Sequence, residues 1–217
     1  MRYRVKHLEI RSENAAKPIT SASKALTGWI RAQAPVYAAL DYGCGKLRYA
    51  GELAECCRKM ALVDSAVQLD RLQRIDGKRV SIRDYARCRW PHCRTMTPDE
   101  LDESAQRYNL ALCANVLSAI PSAWHRSVAL QIIRRSLARN GKCMFVTQYR
   151  NSYFANAAKS PNAISHLDGW ILATPRGNFY YGLLAKPRLE KILQRAGFRI
   201  CESWTTDGSA FVLATRG

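Results

Sequence analysis

The chain has 217 residues, of which 47% are hydrophobic and 24% are charged, a composition that excludes an intrinsically disordered protein. The 34 lysines and arginines outnumber the 17 acidic residues, and the formal net charge of +17 favours contact with a polyanion such as a nucleic acid. A basic proteome or an acidic partner would explain the same charge. No segment approaches the ~20 apolar residues that cross a bilayer. We therefore expect a cytoplasmic protein that makes no membrane contact.

Apolar segments alternate with amphipathic ones along the chain, which is typical of a mainly parallel sheet with helices on both faces. We predict strands at residues 36–40, 60–63, 79–82, 110–114 and 142–147, followed by a hairpin at 198–201 and 209–213. Helices are predicted at 47–59, 67–72, 122–138 and 187–196, and a further one begins at Thr97. Asn140-Gly141 is interpreted as a left-handed stop after the helix at 122–138.

Two regions are set apart by composition. Residues 1–35 are predicted to be a basic, partly helical extension, and residues 36–217 to form the main domain. Within that domain, residues 150–185 are rich in Asn, Ser, Gly and aromatic residues and exceed the usual length of a connection, so we interpret them as a lid. The residues expected to form a substrate wall in or beside this lid are Tyr149, Arg150, Tyr153, Trp170, Arg176, Tyr180 and Tyr181.

The eight cysteines are predicted to be reduced, because most lie in apolar segments where a thiol packs as a small hydrophobic group. Cys88, His92 and Cys93 have a spacing that could suit a metal, but no second ligand pair completes the site. We therefore predict that the protein binds no metal.

The segment Asp41-Tyr42-Gly43-Cys44-Gly45 follows the first strand, where two glycines let the backbone turn sharply and approach a ligand. Asp64 ends the next strand, a position from which a carboxylate can hold both ribose hydroxyls of an adenosine. A dinucleotide site would need glycine at Arg48, and a Walker phosphate loop would need Ser or Thr at Leu47. Asp41 instead suits a cofactor that carries an ammonium group.

Leu40 to Gly45 resembles the first motif of class I S-adenosylmethionine-dependent methyltransferases. The resemblance implies a Rossmann-like α/β fold with a seven-stranded, mostly parallel sheet that ends in a C-terminal antiparallel hairpin, and S-adenosyl-L-methionine as the cofactor. It implies that Asp41 lies near the methionine amino group, that Gly43 and Gly45 line the adenosyl group together with Tyr42 and Cys44 of the same loop, and that Asp64 holds the ribose. The third glycine common in the family would fall at Leu47.

Two later segments extend the resemblance. Ile82-Arg83-Asp84 is similar to the third motif, which implies that Asp84 contacts the adenine amino group. Residues 112–121 are similar to the fourth motif, where the end of the strand, here Asn115, faces the transferred methyl group. A narrower similarity, to methyltransferases associated with DNA phosphorothioation systems, rests on residues 6–11, the cofactor loop and the later Gly169-Trp170 and Gly177-Asn178-Phe179.

The methyl acceptor is expected to be a nucleic acid, RNA or DNA, because of the basic charge. Alternatives are a small molecule, a protein, or a non-catalytic binding module with this fold. Asn115 lacks the following Pro-Pro-aromatic sequence of enzymes that methylate amino groups of DNA bases. Alignment can supply much of the rate, so the catalytic candidates are only Asn115 and Tyr149, with His125 more remote. The residues expected to bind substrate are Arg83, Arg87, Arg89, Trp90, Arg150, Trp170 and Arg176.

Overall fold

The computed structural model describes residues 2–16, 19–150, 155–156, 158–175 and 177–217. The strands are β1 (Arg2–Val5), β2 (Leu8–Arg11), β3 (Val36–Tyr42), β4 (Cys57–Val63), β5 (Gln73–Ile75), β6 (Lys78–Val80), β7 (Cys93–Met96), β8 (Tyr108–Ala114), β9 (Leu137–Gln148), β10 (Ile164–His166), β11 (Gly169–Leu172), β12 (Phe179–Gly182), β13 (Phe198–Thr206) and β14 (Ser209–Arg216). The helices are α1 (Lys24–Arg31), α2 (Ala50–Glu55), α3 (Ala66–Asp70), α4 (Ile82–Arg89), α5 (Pro98–Glu103), α6 (Ala123–Ser136) and α7 (Lys186–Arg195).

A seven-stranded sheet in the order β13-β14-β9-β8-β3-β4-β7 forms the centre of the fold. The strands from β9 to β7 are parallel, and β14 runs antiparallel to both of its neighbours, β13 and β9. This arrangement confirms the predicted fold class, including the C-terminal hairpin. Because β3 lies beside both β4 and β8, their carboxyl ends meet at one edge of the sheet.

Hydrophobic cores lie on both faces of this sheet. On β3, Leu40 belongs to one core and Ala39 to the other, as the two-residue repeat of a strand requires. The first core contains apolar residues of α5, α6 and α7, and the second contains those of α1, α2, α3 and α4. The prediction of helices on both faces is therefore confirmed.

The predicted third strand at residues 79–82 is wrong as a member of this sheet. Lys78–Val80 pairs only with β5, across a turn in which Asp76 and Gly77 take φ values of 46° and 77°. Ser81 then caps α4 by accepting the N–H of Asp84. The strand that pairs with β4 on its outer side is β7, an edge strand whose four residues, Cys93 to Met96, include Arg94 and Thr95 and gave no continuous apolar signal.

The predicted stop at Asn140-Gly141 is also wrong, because α6 ends at Ser136 and β9 has begun at Leu137. Gly141 has no positive φ. It is needed for close packing instead, since a Cβ at this position would stand 2.5 Å from the carbonyl oxygen of Tyr108 on the neighbouring strand. The helix predicted at 47–59 is also shorter than expected, because α2 spans only Ala50–Glu55.

Residues 150–185 contain an antiparallel sheet of β10, β11 and β12 rather than irregular chain alone. A buried ion pair joins this sheet to α6, because Arg126 donates to both carboxylate oxygens of Asp168 at 2.6 and 2.8 Å. Tyr180 donates to the same carboxylate, and Arg126 also donates to the carbonyl of Ile120. The three-stranded sheet is thereby fixed beside the start of α6.

The first 35 residues carry the β1–β2 hairpin and α1, and they pack against the main domain. Ile10 is fully buried in the first core, and the N–H of Arg11 donates to the carbonyl of Asn178. Leu26 and Ile30 of α1 are fully buried in the second core. The hairpin therefore lies between the three-stranded sheet and the edge where β3 and β4 end.

Candidate functional site

A cavity opens at the carboxyl ends of β3, β4 and β8. The space open to the centres of water-sized molecules is about 170 Å³, which is more than one trapped water occupies. The residues lining it include the whole predicted loop from Asp41 to Gly45, together with Asp64 and Asn115. Their roles in binding stay predictions, but the structure brings all of them to one cavity.

The glycine loop turns because its residues take left-handed conformations. Gly43 and Gly45 have φ values of 79° and 57°, and Leu47, which stands where the family often has a third glycine, has a φ of 61°. The N–H groups of Gly43 and Cys44 both donate to the carbonyl of Val63 on β4, at 2.7 and 3.0 Å. Leu47 is buried beneath the loop. The loop therefore keeps its turn without the third glycine.

Asp64 lies directly after β4 and faces the loop. Its carboxylate accepts the N–H of Gly45 at 2.9 Å and the N–H of Ser65 at 2.8 Å. Burial raises the pKa of Asp64, although both backbone hydrogen bonds act in the opposite direction. Each carboxylate oxygen can accept a further hydrogen bond. Asp64 is thus able to take two hydroxyl donors from a ligand in the cavity.

Asp41 is almost fully buried at the end of β3. Burial and the neighbouring Asp64 raise the pKa of Asp41 to about 7, although Arg48 acts in the opposite direction. A buried carboxylate is stabilised when a cation lies beside it. The two acids therefore make this end of the cavity suited to a positively charged group.

Asp84 lies outside the cavity, contrary to the position that its predicted contact with adenine requires. It is on α4, where it accepts from the hydroxyl of Ser81 at 2.6 Å and pairs with Arg87 at 2.7 Å. The acid that lines the cavity after β7 is Asp99, in the first turn of α5. The misplaced third strand explains the difference, since the sheet strand ends at Met96, fourteen residues later in the chain than predicted, just before Thr97-Pro98-Asp99.

Gln68 lines the cavity beside the loop and was missed from the sequence. Its amide donates to the carbonyl of Gly45 at 2.5 Å and to the side chain of Gln73 at 3.2 Å. The side chain is fully buried, and within the described residues its oxygen has no hydrogen-bond partner. Gln68 therefore supports the loop from the cavity lining. A lone Gln in a short helix gives no sequence signal for this role.

Asn115 follows β8 with a φ of 62°. Its side-chain oxygen accepts the N–H of Gln148, and its own N–H donates to Val146, so it joins the ends of β8 and β9. These bonds hold Asn115 at the edge of the cavity and leave its amide nitrogen as the group that could contact a ligand.

The cavity is also lined by mainly apolar residues of the α6 region and of the N-terminal segment, which are Tyr3, Ala15, Ala16, Ala119, Ile120, His125, Val128, Ala129 and Ile132. The sequence gave no reason to place the N-terminal segment here, because a hairpin that covers a distant loop leaves no local pattern. Tyr3 and Glu13 were missed for the same reason.

The predicted lid residues do not line this cavity where they can be described. The backbone N–H groups of Tyr149 and Arg150 donate to Gly208 in the turn between β13 and β14. Trp170 lies on β11 and packs in a small cluster with Leu172, Phe179 and Tyr181. Tyr153 and Arg176 lie outside the described residues.

Four of the residues expected to bind substrate lie on or next to α4 and do not line the cavity either, namely Arg83, Arg87, Arg89 and Trp90. Arg83 pairs with Asp70 at 2.7 Å, Arg87 pairs with Asp84, and Arg89 is exposed. Trp90 directly follows α4, and its ring stands edge-on to that of Tyr85 at a centroid distance of 5.9 Å. Any nucleic acid held by these side chains would lie outside the cavity.

The described part of the chain contains no cluster of three or more His, Cys, Asp or Glu side chains arranged to hold a metal ion. None of its helices is long and apolar enough to span a bilayer.

Replacing Gly43 by alanine is expected to abolish the loop geometry. A Cβ at this position would stand 2.2 Å from Cγ2 of Val116, and a φ of 79° is strained for alanine. Binding of S-adenosylhomocysteine, measured by calorimetry, should fall at least about tenfold, which corresponds to about 1.4 kcal/mol. Gly51→Ala is the matched control, because Gly51 lies in α2 with nothing within 4 Å of the added Cβ. Equal binding by the two variants would contradict this account of the loop.

Comparisons with known proteins agree with this geometry. The profile of a family described as a methyltransferase domain matches residues 11–203. The chain is 36% identical over 212 residues to the protein YmfD of Escherichia coli (strain K12), covering 98% of this chain and 95% of that protein.

Two solved structures have a similar fold. The 1,6-didemethyltoxoflavin-N1-methyltransferase of Burkholderia thailandensis, with 1,6-didemethyltoxoflavin and S-adenosylhomocysteine bound, is 18% identical with a TM-score of 0.62, covering 91% of this chain and 80% of that one. The N-methyltransferase NodS of Bradyrhizobium japonicum WM9, in complex with S-adenosylhomocysteine, is 15% identical with a TM-score of 0.57, covering 88% and 84%.

Proposed function

Since the chain belongs to the methyltransferase domain family and is an S-adenosylmethionine-dependent methyltransferase, we propose that it methylates a small molecule bound in the cavity beside its glycine loop. The observation that carries this proposal is the lining of the cavity, which combines the acids Asp41 and Asp64 with apolar residues of α6. The solved relative from Burkholderia thailandensis binds a small molecule together with S-adenosylhomocysteine, which supports the same acceptor class here.

The acids of the cavity fit the cofactor. Asp64 offers acceptors to the ribose hydroxyls, and Asp41 offers a carboxylate to the ammonium group. Gly43 and Gly45 supply a backbone without side chains along the adenosyl group, and Asp99 and Gln68 line the same cavity. When bound, S-adenosylmethionine supplies a methyl group activated by its sulfonium. The protein's own residues hold that group still and keep water away from it.

The apolar part of the lining fits a compact acceptor. The α6 residues Val128, Ala129 and Ile132 favour an uncharged, largely apolar molecule. The exposed arginines of α4 lie outside this space, so they do not contribute to a site for an acceptor of this kind.

The experiment uses methyl-labelled cofactor and a cell extract that is divided by size. We expect label to appear in a small molecule other than S-adenosylmethionine itself, and not in purified total RNA or DNA. Calorimetry with S-adenosylhomocysteine is run in parallel. Failure of the protein to bind it, with the fold intact by circular dichroism, would overturn the proposal.

A nucleic-acid acceptor is the second candidate, and the observation that favours it is the net charge of +17 with exposed Arg87 and Arg89 beside Trp90. It predicts label in RNA or DNA at low salt, and a loss of label in an Arg87→Ala, Arg89→Ala variant. Binding to phosphates also weakens steeply as the salt concentration rises. Label that stays in the small-molecule fraction and is insensitive to salt excludes this candidate.

Cofactor binding should release a proton at mildly acidic pH. The raised pKa of Asp41, about 7, means that the free protein keeps this carboxyl protonated at pH 6, whereas an ammonium group beside it favours the carboxylate. Because Asp41 is buried, its negative charge lowers the stability of the free protein. This destabilisation is absent below the unfolded pKa and grows as pH rises to about 7. Affinity for S-adenosylhomocysteine should therefore rise from pH 5 to 7, by up to about tenfold per unit.

Calorimetry at pH 6 in two buffers of different ionisation enthalpy measures the protons released. We expect on the order of one proton for the native protein and clearly fewer for Asp41→Asn. The same release from both proteins would show that another group, such as Asp64, is responsible.

A further inference from the structure

The amino ends of the parallel strands form the edge of the central sheet that is opposite the cavity. β3 runs from this edge to the glycine loop over seven residues, so the two lie roughly 20 Å apart. Six exposed basic residues lie at or near the amino ends of β4, β7, β8 and β9, and together they define the basic edge: Arg58, Lys59, Arg94, Arg107, Arg139 and Lys142. A ligand of the basic edge is therefore remote from the cofactor loop.

The register of the strands brings cations of the basic edge together. Across β9, β8, β3, β4 and β7, Lys142 and Cys93 lie in one row of the sheet. Lys59 is one residue before that row on β4, and Arg94 is one residue after it on β7. Neighbouring strands are about 4.8 Å apart, so a row that crosses five strands is roughly 20 Å long. The cations thus form one band across the sheet.

The basic edge carries positive charge in excess. Within the ranges that the structure describes, none of its six cations forms an ion pair with a carboxylate, and Arg107 donates only to backbone carbonyls. The helices that lead into this edge end in two exposed acids, Glu55 and Glu103. Burial raises the pKa of Tyr108 to about 12, and the charges of Arg94 and Arg107 both oppose this rise, so the two guanidinium groups act on the same phenol. Like charges gathered in this way repel one another, and a bound anion relieves the repulsion.

An exposed aromatic ring lies among these cations. Tyr37, the second residue of β3, is 52% exposed, and the ammonium group of Lys59 stands over its ring, 5.0 Å from the centroid. Cations beside an exposed ring are typical of surfaces that bind single-stranded nucleic acid, because the cations contact phosphates while the ring stacks on a base. A duplex keeps its bases stacked on one another and would leave the ring of Tyr37 without a partner. The aromatic ring therefore favours a single strand.

We propose that the basic edge binds a single-stranded nucleic acid, with phosphates on its cations and a base stacked on Tyr37. The proposal goes beyond the proposed function and does not depend on it, because this strand lies at the opposite end of the sheet from the cavity and is not the methyl acceptor. On α4, by contrast, Arg83 and Arg87 are each paired with an aspartate, which reduces their attraction for phosphates. The net charge of +17 supplies the general attraction, and the basic edge supplies unpaired cations beside a ring.

The first test compares two variants that lose the same charge. In the edge variant, glutamine replaces three cations of the basic edge: Lys59→Gln, Arg94→Gln and Lys142→Gln. In the control variant, glutamine replaces three exposed cations of the β5–β6 hairpin: Arg74→Gln, Lys78→Gln and Arg79→Gln. Binding of a fluorescein-labelled oligothymidylate of about 12 nucleotides, a length within known site sizes, is measured by anisotropy. Thermal unfolding verifies that both variants are folded.

The edge variant should bind this probe at least about tenfold more weakly than the native protein at about 50 mM salt, and the control variant should bind it with near-native affinity. Each phosphate contact of a single strand contributes about 0.7 to the slope of log affinity against log salt concentration, so the slope of the edge variant should be shallower by about 2. Absence of binding by the native protein, or equal losses in the two variants, overturns the proposal.

The second test distinguishes a single strand from other polyanions. Tyr37→Leu should weaken binding of the oligothymidylate about fivefold or more, whereas Tyr37→Phe keeps the ring and the affinity. A hairpin duplex with the same number of phosphates, and a polyglutamate peptide of the same charge, should both bind more weakly than the single strand. Tighter binding of either one, or equal affinities of the two Tyr37 variants, overturns the single-stranded occupant.

The third test concerns the separation of the basic edge from the cavity. Saturating S-adenosylhomocysteine should leave the affinity for the oligothymidylate unchanged, because the two ligands bind at opposite ends of the sheet. Competition between them would place the strand in the cavity and would overturn the proposal. If the native protein binds the oligothymidylate but not S-adenosylhomocysteine, the proposed function fails and the basic edge stands.

Discussion

Replacing Arg126 by methionine is expected to lower the free energy of unfolding by about 3–5 kcal/mol, because it leaves the largely buried carboxylate of Asp168 without its cationic partner. The side chain of Arg126 is only 5% exposed, and that of Asp168 is 16% exposed. The substitution removes both hydrogen bonds to Asp168 and the bond to the carbonyl of Ile120. Methionine keeps much of the apolar stem of the side chain. The loss of stability is therefore due to removal of the guanidinium group rather than to a large cavity.

The same helix supplies a matched control. Arg135 donates to both oxygens of Asp102 at 2.9 and 2.8 Å, a geometry close to that of Arg126 with Asp168. Its side chain is 55% exposed, however, and that of Asp102 is 36% exposed. Arg135→Met should therefore cost less than about 1 kcal/mol. Urea unfolding of both variants at pH 7 measures the difference, and losses of similar size would refute the importance of burial.

The effect of Arg126→Met should also depend on pH. Burial raises the pKa of Asp168, but the hydrogen bonds from Arg126 and Tyr180 act more strongly in the other direction, and the net result is a lowered pKa. A carboxylate of lowered pKa contributes stability above its unfolded pKa of about 3.9, and this contribution disappears as pH falls through the folded pKa. The gap in stability between native protein and Arg126→Met should therefore narrow below about pH 4.

The ion pair of Arg126 and Asp168 also connects stability to the site. It fixes β10, β11 and β12 against the first turns of α6. The next turns of the same helix line the cavity through Val128, Ala129 and Ile132. The carbonyl of Ile120, which Arg126 binds, belongs to a cavity residue. Loss of the pair is therefore expected to loosen the wall on which His125 stands.

The sequence predicted those parts of the site that depend on local pattern. A buried strand followed by two glycines, and an acid at the end of the next strand, identify Asp41, Gly43, Gly45 and Asp64, because turn geometry and strand ends are recorded in neighbouring residues. The fold class followed from the alternation of strands and helices. These predictions needed no knowledge of which distant segments meet.

The features that the sequence did not predict depend on contacts between distant segments. Arg126 and Asp168 are 42 positions apart, and in the sequence Arg126 is one basic residue among many on a helix. β7 is a short, partly exposed edge strand, so it lacks the apolar run that marks the inner strands, and Asp99 after it was interpreted only as part of a helix cap. The N-terminal hairpin contacts the cavity only after the whole domain has folded.

Asp64 and Asp84 were both expected to bind the cofactor, and the structure separates them. Asp64→Ala is expected to weaken binding of S-adenosylhomocysteine roughly 100-fold, about 3 kcal/mol, because it removes the proposed acceptor of two ribose hydroxyls. It also removes the acceptor that holds the N–H of Gly45, so part of the loss reflects a looser loop.

Asp84→Ala is the matched control, because the native Asp84 carboxylate bonds only Ser81 and Arg87 among the described residues and does not line the cavity. Calorimetry on both variants, with thermal unfolding to verify the fold, should give near-native affinity for Asp84→Ala. A large loss there, with little change in Asp64→Ala, would return the cofactor to the position that the sequence motif at Ile82-Arg83-Asp84 implied.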